Sequence, residues 1–250
     1  TPMEPIYLDH AATTPLRPEV RAAVARFVPG ELGNPSSAHR WGRRAAAVLD
    51  EARARVARAL GCRPSEILFV RGGTESDNLA IRGRCAAAGA ERGPPLVVHT
   101  AVEHPAVRDT AGALEEGGAR RRVLPVDRDG MPDLQELSAI LDGEHPVVVS
   151  MMWVNNEVGT VLPVPEAARI CAERGVALHT DAVQAVGKIA VRVDEVPLAL
   201  LTATGHKIGG PPGTGILFVR EGTGLGPLLT GGGQERGLRP GTQDVAGAVG

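Results

Sequence analysis

Short apolar runs alternate with helical patterns along most of this chain, and this alternation constrains the fold more than any other feature. Strands that are almost continuously apolar and are separated by helices indicate a parallel sheet that is covered on both faces. The sequence therefore predicts an α/β fold, with a mostly parallel sheet of roughly seven strands and helices on both faces. The predicted strands are Ile67–Val70, Leu96–Thr100, Arg122–Val126, Val147–Trp153, Ala177–Asp181, Leu198–Thr202 and Gly215–Val219.

Helical periodicity lies between these strands and ahead of them. Arg43–Leu60 is amphipathic and is followed by Gly61, a residue type that commonly ends a helix. The glycine-rich run Gly231–Gly241 predicts a loop, and Val245–Gly250 predicts the first turn of a helix. No repeat or linker divides the chain, so residues 1–250 are interpreted as one domain with an N-terminal segment. The other predicted helices are Ser76–Ala88, Ala106–Glu116, Leu134–Leu141 and Val164–Arg174.

The composition argues against several classes of partner. A formal net charge of -2 and an aromatic content of 2% do not suit a nucleic-acid partner, which needs basic patches and stacking rings. No apolar run approaches the ~18 residues of a membrane span, so we expect no membrane partner. The three cysteines lack the spacing of a metal site and are odd in number. They fit a reducing compartment, and we expect a cytoplasmic protein without a bound metal.

Lysine is nearly absent, so the lysines that remain are candidates for a special role. Of the 27 basic residues, only Lys188 and Lys207 are lysines. Lys207 lies in a glycine-rich turn after a predicted strand, where α/β folds place reactive groups. Arginine cannot lose its proton at ordinary pH, whereas lysine can, and only a neutral amine forms a Schiff base. From this local context alone, an ordinary surface lysine is an equal alternative.

Four other strand ends carry groups that suit one ligand. Gly73 and Thr74 begin a helix, where free backbone amides and a hydroxyl form an anion site suited to phosphate. Asp181 can hold a pyridine nitrogen protonated, although it can equally cap the next helix. His104 and Asn156 also follow strands, and the ends of parallel strands share one edge of a sheet. A phosphate site, an acid for a ring nitrogen, a stacking ring and a lysine for an aldehyde together indicate pyridoxal phosphate.

Seven segments carry a resemblance to a known family, and together they extend over essentially all 250 residues: Tyr7–Pro15, Gly33–Ser37, Gly73–Asn78, Glu103–His104, Asn155–Gly159, Gly205–Lys207 and Gly231–Thr242. The chain resembles the cysteine desulfurases of the class V aminotransferase group, which are pyridoxal phosphate enzymes of fold type I. The resemblance implies the large, cofactor-binding domain of that fold.

The resemblance also implies roles for individual residues. Lys207 matches the Schiff-base lysine and His104 the imidazole that stacks on the cofactor ring. Asp181 matches the acid on the ring nitrogen, and Gln184 matches the donor to the ring hydroxyl. The phosphate ligands are matched by Gly73, Thr74, Thr204 and His206. Asn156 matches a residue that contacts the cofactor and the substrate. Thr242 matches the residue that reaches the phosphate of the neighbouring subunit. A homodimer is therefore implied.

The chain departs from the family's pattern at two places. Val70 and Arg71 stand where a Thr-Ser pair is common, and Thr204 replaces a usual serine but keeps the hydroxyl. The larger departure is that nothing matches the family's C-terminal small domain, so we expect that domain to be absent. It brings the mobile-loop cysteine that takes the sulfur and the arginine that binds the substrate carboxylate. The three cysteines of this chain lie where the family has no catalytic cysteine: Cys62, Cys85 and Cys171.

Several other reactive residue types are predicted to be structural. His99 and His179 lie inside apolar strands rather than at a strand end, where a buried histidine is usually satisfied locally. Cys85 and Cys171 lie in helical patterns, where cysteine behaves as a small apolar residue. Cys62 follows a helix end without an activating neighbour in sequence.

The resemblance implies an enzyme that converts L-cysteine to L-alanine and passes the sulfur to a protein cysteine as a persulfide. An iron–sulfur scaffold or a thiolation protein is the implied acceptor. Because no cysteine matches the catalytic one, we expect a fragment or a truncated form that is inactive in sulfur transfer by itself. A selenocysteine lyase or another class V aminotransferase is an alternative of the same fold. A non-catalytic dimeric scaffold that binds pyridoxal phosphate is an alternative of a different kind.

Overall fold

The computed structural model describes residues 6–27, 33–89 and 93–250, so residues 1–5 of the predicted N-terminal segment lie outside it. Seven strands form one sheet, with the bounds β1 Ile67–Val70, β2 Leu96–Thr100, β3 Arg120–Leu124, β4 Val148–Ser150, β5 Ala177–Asp181, β6 Leu200–Thr204 and β7 Gly215–Val219. Their order across the sheet is β1-β7-β6-β5-β4-β2-β3. The neighbours from β3 to β6 are parallel, and β7 is antiparallel to both β6 and β1. The predicted mostly parallel sheet is confirmed.

Helices cover both faces of this sheet. Their bounds are α1 Pro18–Ala25, α2 Arg40–Leu60, α3 Gly73–Ala87, α4 Pro105–Glu116, α5 Leu134–Glu144, α6 Val164–Glu173 and α7 Val245–Val249. Buried side chains of α2, α5 and α6 share one apolar cluster with one face of the sheet, while α3 and α4 pack on the other face. The side chains of β1 alternate between the two faces of the sheet. Ile67 and Phe69 face the first cluster, and Leu68 and Val70 face the second. No helix of the described ranges is long and apolar enough to cross a membrane.

Helix α2 shows how the sequence sets the ends of an element. It begins at Arg40, three residues before the predicted start, because the side chain of His39 accepts a hydrogen bond from Gly42 N at 3.2 Å. Gly61 ends it with a φ of 76°, a conformation that glycine adopts without a steric penalty. Leu49 and Leu60 are buried along its apolar side, and each stabilises the fold by about 2 kcal/mol.

Three predicted strands are displaced or too long. β3 begins at Arg120 rather than Arg122, because three exposed arginines form its first part on the sheet edge and an apolar pattern cannot find them. β6 begins at Leu200 and continues to Thr204, although Thr202 and Thr204 are polar, since both are buried between β5 and β7. β4 is limited to Val148–Ser150, and the apolar residues after it belong to the following loop.

Helix α1 and the short 3-10 turns were not predicted. Helix α1, Pro18–Ala25, has no buried residue, so it lacks the apolar face that reveals a helix in sequence. The predicted loop Gly231–Gly241 contains one short 3-10 turn, Gln234–Gly237, in which Glu235 and Arg236 have positive φ angles of 44° and 61°. Non-glycine residues rarely adopt this conformation, so surrounding contacts must hold the turn in place.

Candidate active site

The carboxyl ends of β2, β4, β5 and β6 meet around a cavity of about 360 Å³. The first turn of α3 and the N-terminal segment at Asp9–Ala12 complete its wall. Nine of the ten residues predicted to form the site line this cavity: Gly73, Thr74, His104, Asn156, Asp181, Gln184, Thr204, His206 and Lys207. Thr242 is exposed and lies outside the cavity wall. The structure thus brings the predicted residues together, while their roles as ligands stay predictions.

Lys207 lies in a short 3-10 turn, Gly205–Lys207, that follows β6 directly. Its amine donates hydrogen bonds to the carbonyl oxygens of Ala11 at 2.5 Å and Ala12 at 2.7 Å. Burial lowers the pKa of Lys207, and the charges of Asp181 and Asp9 oppose this shift. The side chain is therefore a positioned amine with an increased neutral fraction, as nucleophilic chemistry requires.

The N-terminal segment is also connected to Lys188, the second lysine of the chain, by way of the Gln184 side chain. Gln184 Nε2 donates to the carbonyl oxygen of Ala11 at 2.8 Å, and Lys188 Nζ donates to Gln184 Oε1. Because lysine can only donate, this contact fixes which end of the Gln184 amide points into the cavity. The amide NH₂ is therefore the end directed at Ala11, which also lines the cavity. Nothing in the sequence pattern indicates this contact of Lys188.

Asp181 lies at the end of β5, and its side chain is buried in the cavity wall. Its Oδ1 accepts a hydrogen bond from Val183 N at 2.9 Å. Burial raises the pKa of Asp181, whereas the hydrogen bond from Val183 and the charges of His104 and Lys207 oppose the rise. An acid in this position can share a proton with a ring nitrogen.

His104 caps the N-terminus of α4, where Pro105 occupies the first helical position. Its Nδ1 accepts a hydrogen bond from Ala106 N at 3.1 Å. A ring that accepts at Nδ1 carries its proton on Nε2 when neutral, so the backbone fixes both orientation and tautomer. The imidazole is thereby held against the cavity.

The first turn of α3 forms one end of the cavity. Gly72, with a φ of 94°, precedes it, and the first amides of a helix have no partner within the helix. A Cβ atom at Gly215 would lie 2.7 Å from the backbone of Gly72, so glycine is required for β7 to approach this turn. Thr204 Oγ1 donates to the carbonyl oxygen of Thr214 at 2.9 Å, which fixes a second hydroxyl beside the turn.

Asp77 also lines the cavity, and sequence reasoning missed it. It lies four residues after Gly73 and three after Thr74, which places it on the same face of α3. That spacing is the signal that could have identified it. One side-chain atom each of Asp77, His104 and Asp181 lies within 4.8 Å of the other two. The positive charge of Lys207 in the same cavity disfavours a metal cation there, so we interpret these residues as proton-holding groups.

A buried polar network continues behind these residues. His179 is fully buried, with Nδ1 2.9 Å from Ser150 Oγ and Nε2 3.1 Å from Thr202 Oγ1. Ser150 Oγ also donates to Glu103 Oε2 at 3.4 Å. Burial lowers the pKa of His179 to about 3 and raises that of Glu103 to about 7. His179 is thus a neutral ring within the sheet.

His99, the other histidine predicted to be structural, is buried on β2 and does not line the cavity. Its Nδ1 lies 2.8 Å from the carbonyl oxygen of Thr100, and burial lowers its pKa. Its Nε2 has no hydrogen-bond partner among the described residues, so the local satisfaction expected for this ring is incomplete.

The cysteines lie away from the cavity. Cys171 is buried, and Cys62 and Cys85 are partly buried. Burial raises the pKa of Cys62 and of Cys85 to about 11, and that of Cys171 to about 12. A thiol that stays protonated is a poor nucleophile, so these three side chains suit packing rather than sulfur chemistry.

Glu235 anchors the glycine-rich loop that leads to Thr242. Its carboxylate accepts hydrogen bonds from Arg53 Nη2 at 2.7 Å, Arg53 Nη1 at 2.8 Å and Phe69 N at 2.9 Å. The Glu235 side chain is 1% exposed and that of Arg53 is 14% exposed. These contacts hold the positive-φ turn against α2 and β1.

Comparison with known proteins agrees with this architecture. The aminotransferase class-V family model matches residues 6–250. The cysteine desulfurase IscS of Dictyoglomus turgidum is 44% identical over 245 residues, which cover 98% of this chain and 61% of that protein. The IscS-like cysteine desulfurase of Mycobacterium tuberculosis is 47% identical over 250 residues, which cover 98% of this chain and 63% of that protein. The chain thus spans less than two thirds of the length of these curated relatives.

Two solved structures give the same result. A NifS-like protein superposes with a TM-score of 0.93 at 38% identity, over 98% of this chain and 67% of that chain. A structure described as SspA in complex with cysteine superposes with a TM-score of 0.90 at 34% identity, over 97% and 70%. The resemblance found in the sequence is confirmed. The chain belongs to the aminotransferase class-V family and is similar to cysteine desulfurases over nearly its whole length.

Proposed function

We propose that this chain is the cofactor-binding part of a pyridoxal phosphate-dependent cysteine desulfurase, which converts L-cysteine to L-alanine and passes the sulfur to a protein cysteine. The observation that carries the proposal is the single cavity that brings together the amine of Lys207, the carboxyl of Asp181, the ring of His104 and the first turn of α3. The names of the relatives favour a desulfurase, and the bound cysteine named for one neighbour favours L-cysteine as the substrate.

The residues present fit pyridoxal phosphate. Gly73 and Thr74 offer helix-terminal amides and a hydroxyl to a phosphate, and the backbone approach that Gly215 permits keeps this end compact. Asp181 is the acid for the ring nitrogen, and the amide NH₂ of Gln184 is the proposed donor for the ring hydroxyl. The remaining proposed ligands are Thr204 and His206 on the phosphate and Asn156 on the cofactor and substrate.

The chemistry follows from the placement of these groups. When bound, pyridoxal phosphate supplies an aldehyde for amines and a ring that accepts the electron pair left at Cα. Lys207 would hold the aldehyde of the cofactor and would accept a proton from the substrate Cα on Nζ, since its lowered pKa favours the neutral amine. Asp181 would keep the ring nitrogen protonated, and His104, held by Ala106 N, would cover the ring. General acid–base help of this kind typically contributes ~10²–10⁴ in rate.

Sulfur transfer needs a thiolate that reaches the substrate. The three cysteines lie outside the cavity, and burial raises the pKa of each thiol. We therefore assign the persulfide-forming cysteine to protein outside these 250 residues. An iron–sulfur scaffold or a thiolation protein is the proposed final acceptor of the sulfur.

A homodimer completes the proposal. Thr242 is exposed and outside the cavity wall, yet it follows a loop that Glu235 anchors firmly against α2 and β1. A fixed loop that ends in an exposed hydroxyl suits a contact with a second copy. In a symmetric pair, Thr242 of each subunit then reaches the phosphate end of the other site.

Covalent labelling tests the cofactor site, because the chain has only two lysines. Borohydride reduction after incubation with pyridoxal phosphate should leave one adduct, which peptide mass mapping should place on Lys207. Lys207→Ala should lose both the adduct and the absorbance of the covalently bound cofactor. Lys188→Arg, which keeps a donor for Gln184, is the matched control and should retain them. An adduct that survives in Lys207→Ala contradicts the proposal.

The reaction class is tested in the full-length protein. Release of alanine from L-cysteine, with persulfide on the protein, supports a desulfurase. A strong preference for L-selenocysteine identifies a selenocysteine lyase, and amino-group transfer to a keto acid identifies an aminotransferase. Cofactor binding without any of these reactions identifies a non-catalytic scaffold.

A further inference from the structure

Asp77 has no part in the function proposed so far, although it lies in the wall of the cavity. Its side chain is 2% exposed, and its Oδ1 atom has no hydrogen-bond partner among the described residues. Nearly all buried polar atoms in proteins are hydrogen-bonded, so such an atom calls for an explanation. Nε2 of His179 lies 3.5 Å from Asp77 Oδ1.

A second buried carboxyl lies beside it. Side-chain oxygens of Asp77 and Asp181 are within 4.8 Å of each other. Asp181 accepts a hydrogen bond from Val183 N, and a side-chain hydrogen bond with Thr202 favours the ionised form of Asp77, whose Oδ1 still has no donor. Two carboxylates this close, both removed from water, repel each other strongly, and such a pair usually retains one proton.

The charged groups around the pair offset that repulsion only in part. His179, from β5, is neutral because burial lowers its pKa and both ring nitrogens contact hydroxyls. His104, from the start of α4, accepts a hydrogen bond at Nδ1, and the charges of His104 and Lys207 oppose the rise in the pKa of Asp181. Lys207, after β6, is bound to the carbonyl oxygens of Ala11 and Ala12. Glu103 adds a third buried carboxyl near the pair.

We propose that Asp77 and Asp181 share one proton in the open site and that the pair delivers this proton to the ring nitrogen of pyridoxal phosphate when the cofactor binds. The inference rests on the proposed cofactor. The O–H bond of the pair breaks and an N–H bond forms on the ring; the pair changes from one negative charge to two, and the ring nitrogen becomes positive. Asp77 is thus a positioning residue that stores the proton, whereas Asp181 contacts the ring.

The direction of the pKa shifts agrees with this arrangement. Burial, and then the charge of Asp181, raise the pKa of Asp77 well above its usual value. Burial also raises the pKa of Asp181, against the hydrogen bond from Val183. Both shifts favour retention of a proton by the pair, and we place it on Asp77 because its Oδ1 has no hydrogen-bond donor.

The cofactor-free protein gives the first test. A carboxyl whose pKa is raised by folding contributes stability at low pH that is lost as pH rises from its unfolded pKa toward its folded one. Between pH 5.5 and 8.5, the urea midpoint of the wild type should therefore fall relative to that of Asp77→Asn. Asp50→Asn, which removes an exposed carboxyl on α2, is the matched control and should follow the wild type. Parallel curves for the wild type and Asp77→Asn overturn the inference.

Calorimetry gives the second test. Titration with pyridoxal phosphate in buffers of different ionisation enthalpy measures the protons taken up on binding. Without the stored proton, Asp77→Asn should take up about one proton more per cofactor than the wild type. Equal proton uptake by the wild type and Asp77→Asn overturns the proposal that the pair delivers its proton to the cofactor.

If the wild type does not bind the cofactor, the proposed function fails, whereas the pH dependence of the cofactor-free protein still decides whether the pair shares a proton. If Asp77→Asn does not fold, Asp181→Asn replaces it in the first test.

Discussion

Replacement of Glu235 by alanine tests how the glycine-rich loop is held. The carboxylate of Glu235 is 1% exposed and accepts two hydrogen bonds from Arg53 and one from Phe69 N. Its backbone has a φ of 44°, so the turn depends on these contacts to keep an unfavourable conformation. Glu235→Ala leaves the Arg53 guanidinium, 14% exposed, without its carboxylate partner, although Nη1 still donates to the carbonyl oxygen of Ile67.

The expected loss is large because removal of one partner leaves the other charge buried. Breaking a buried ion pair costs about 3–5 kcal/mol. The amide of Phe69 also loses its acceptor, which costs about 1–3 kcal/mol, although relaxation of the loop recovers part of the sum. We therefore expect Glu235→Ala to lower the free energy of unfolding by about 4 kcal/mol, a large part of the ~5–15 kcal/mol that stabilises a typical domain.

Urea unfolding followed by circular dichroism measures this loss. With a slope of about 3 kcal/mol per molar urea, the midpoint should fall by about 1–1.5 M. Helix α2 supplies a matched control, because Arg55 pairs with Glu51 two residues beyond Arg53 but both side chains are more than half exposed. Glu51→Ala should leave the midpoint unchanged. Similar midpoints for Glu235→Ala and Glu51→Ala would refute the argument that burial gives this pair its importance.

Two further predictions concern assembly and turnover. Thr242→Ala should weaken pyridoxal phosphate binding several-fold without changing thermal stability, because Thr242 is exposed. Fluorescence titration measures the affinity and sedimentation measures the oligomeric state. A strictly monomeric protein with full affinity for the cofactor would contradict this prediction. The 250-residue chain alone should release no appreciable alanine from L-cysteine in the presence of a reductant, because its thiols are partly or fully buried and misplacement of a nucleophile forfeits ~7–11 kcal/mol. Turnover that disappears on replacement of Cys62, Cys85 or Cys171 would show that one of them acts as the sulfur acceptor.

Four of the strands that are buried on both faces could be predicted from the sequence alone. β1, β2, β5 and β7 have the predicted bounds, because each is an apolar run that ends at a turn or a polar residue. The edge strand β3 could not be placed correctly, since Arg120, Arg121 and Arg122 expose their side chains while their backbones pair with β2. Backbone pairing of this kind does not change the hydrophobic pattern of the sequence.

The residues of the candidate site also differ in whether the sequence could predict them. Residues at strand ends, such as Asp181 and His104, were accessible because a parallel sheet brings such ends together. Asp77 and Lys188 were not, because their importance depends on contacts between elements: Asp77 with Asp181, and Lys188 with Gln184. The N-terminal carbonyl groups of Ala11 and Ala12 that bind Lys207 are main-chain atoms, which no side-chain pattern reports.

Pairing of β1 with β7 delays completion of the cavity during protein synthesis. Ile67 pairs with Phe218, and Val70 pairs with Gly215, so β1 finds its neighbour only after residue 219 has been made. At ~5–20 residues per second, this interval is roughly 7–30 s. Strands β2 to β6 can associate within it, whereas the turn at Gly72 and Gly73 still lacks the strand that packs beneath it. A nascent chain arrested before β7 would therefore carry a partial sheet in which the turn that we propose as the phosphate site is not yet supported by its neighbouring strand.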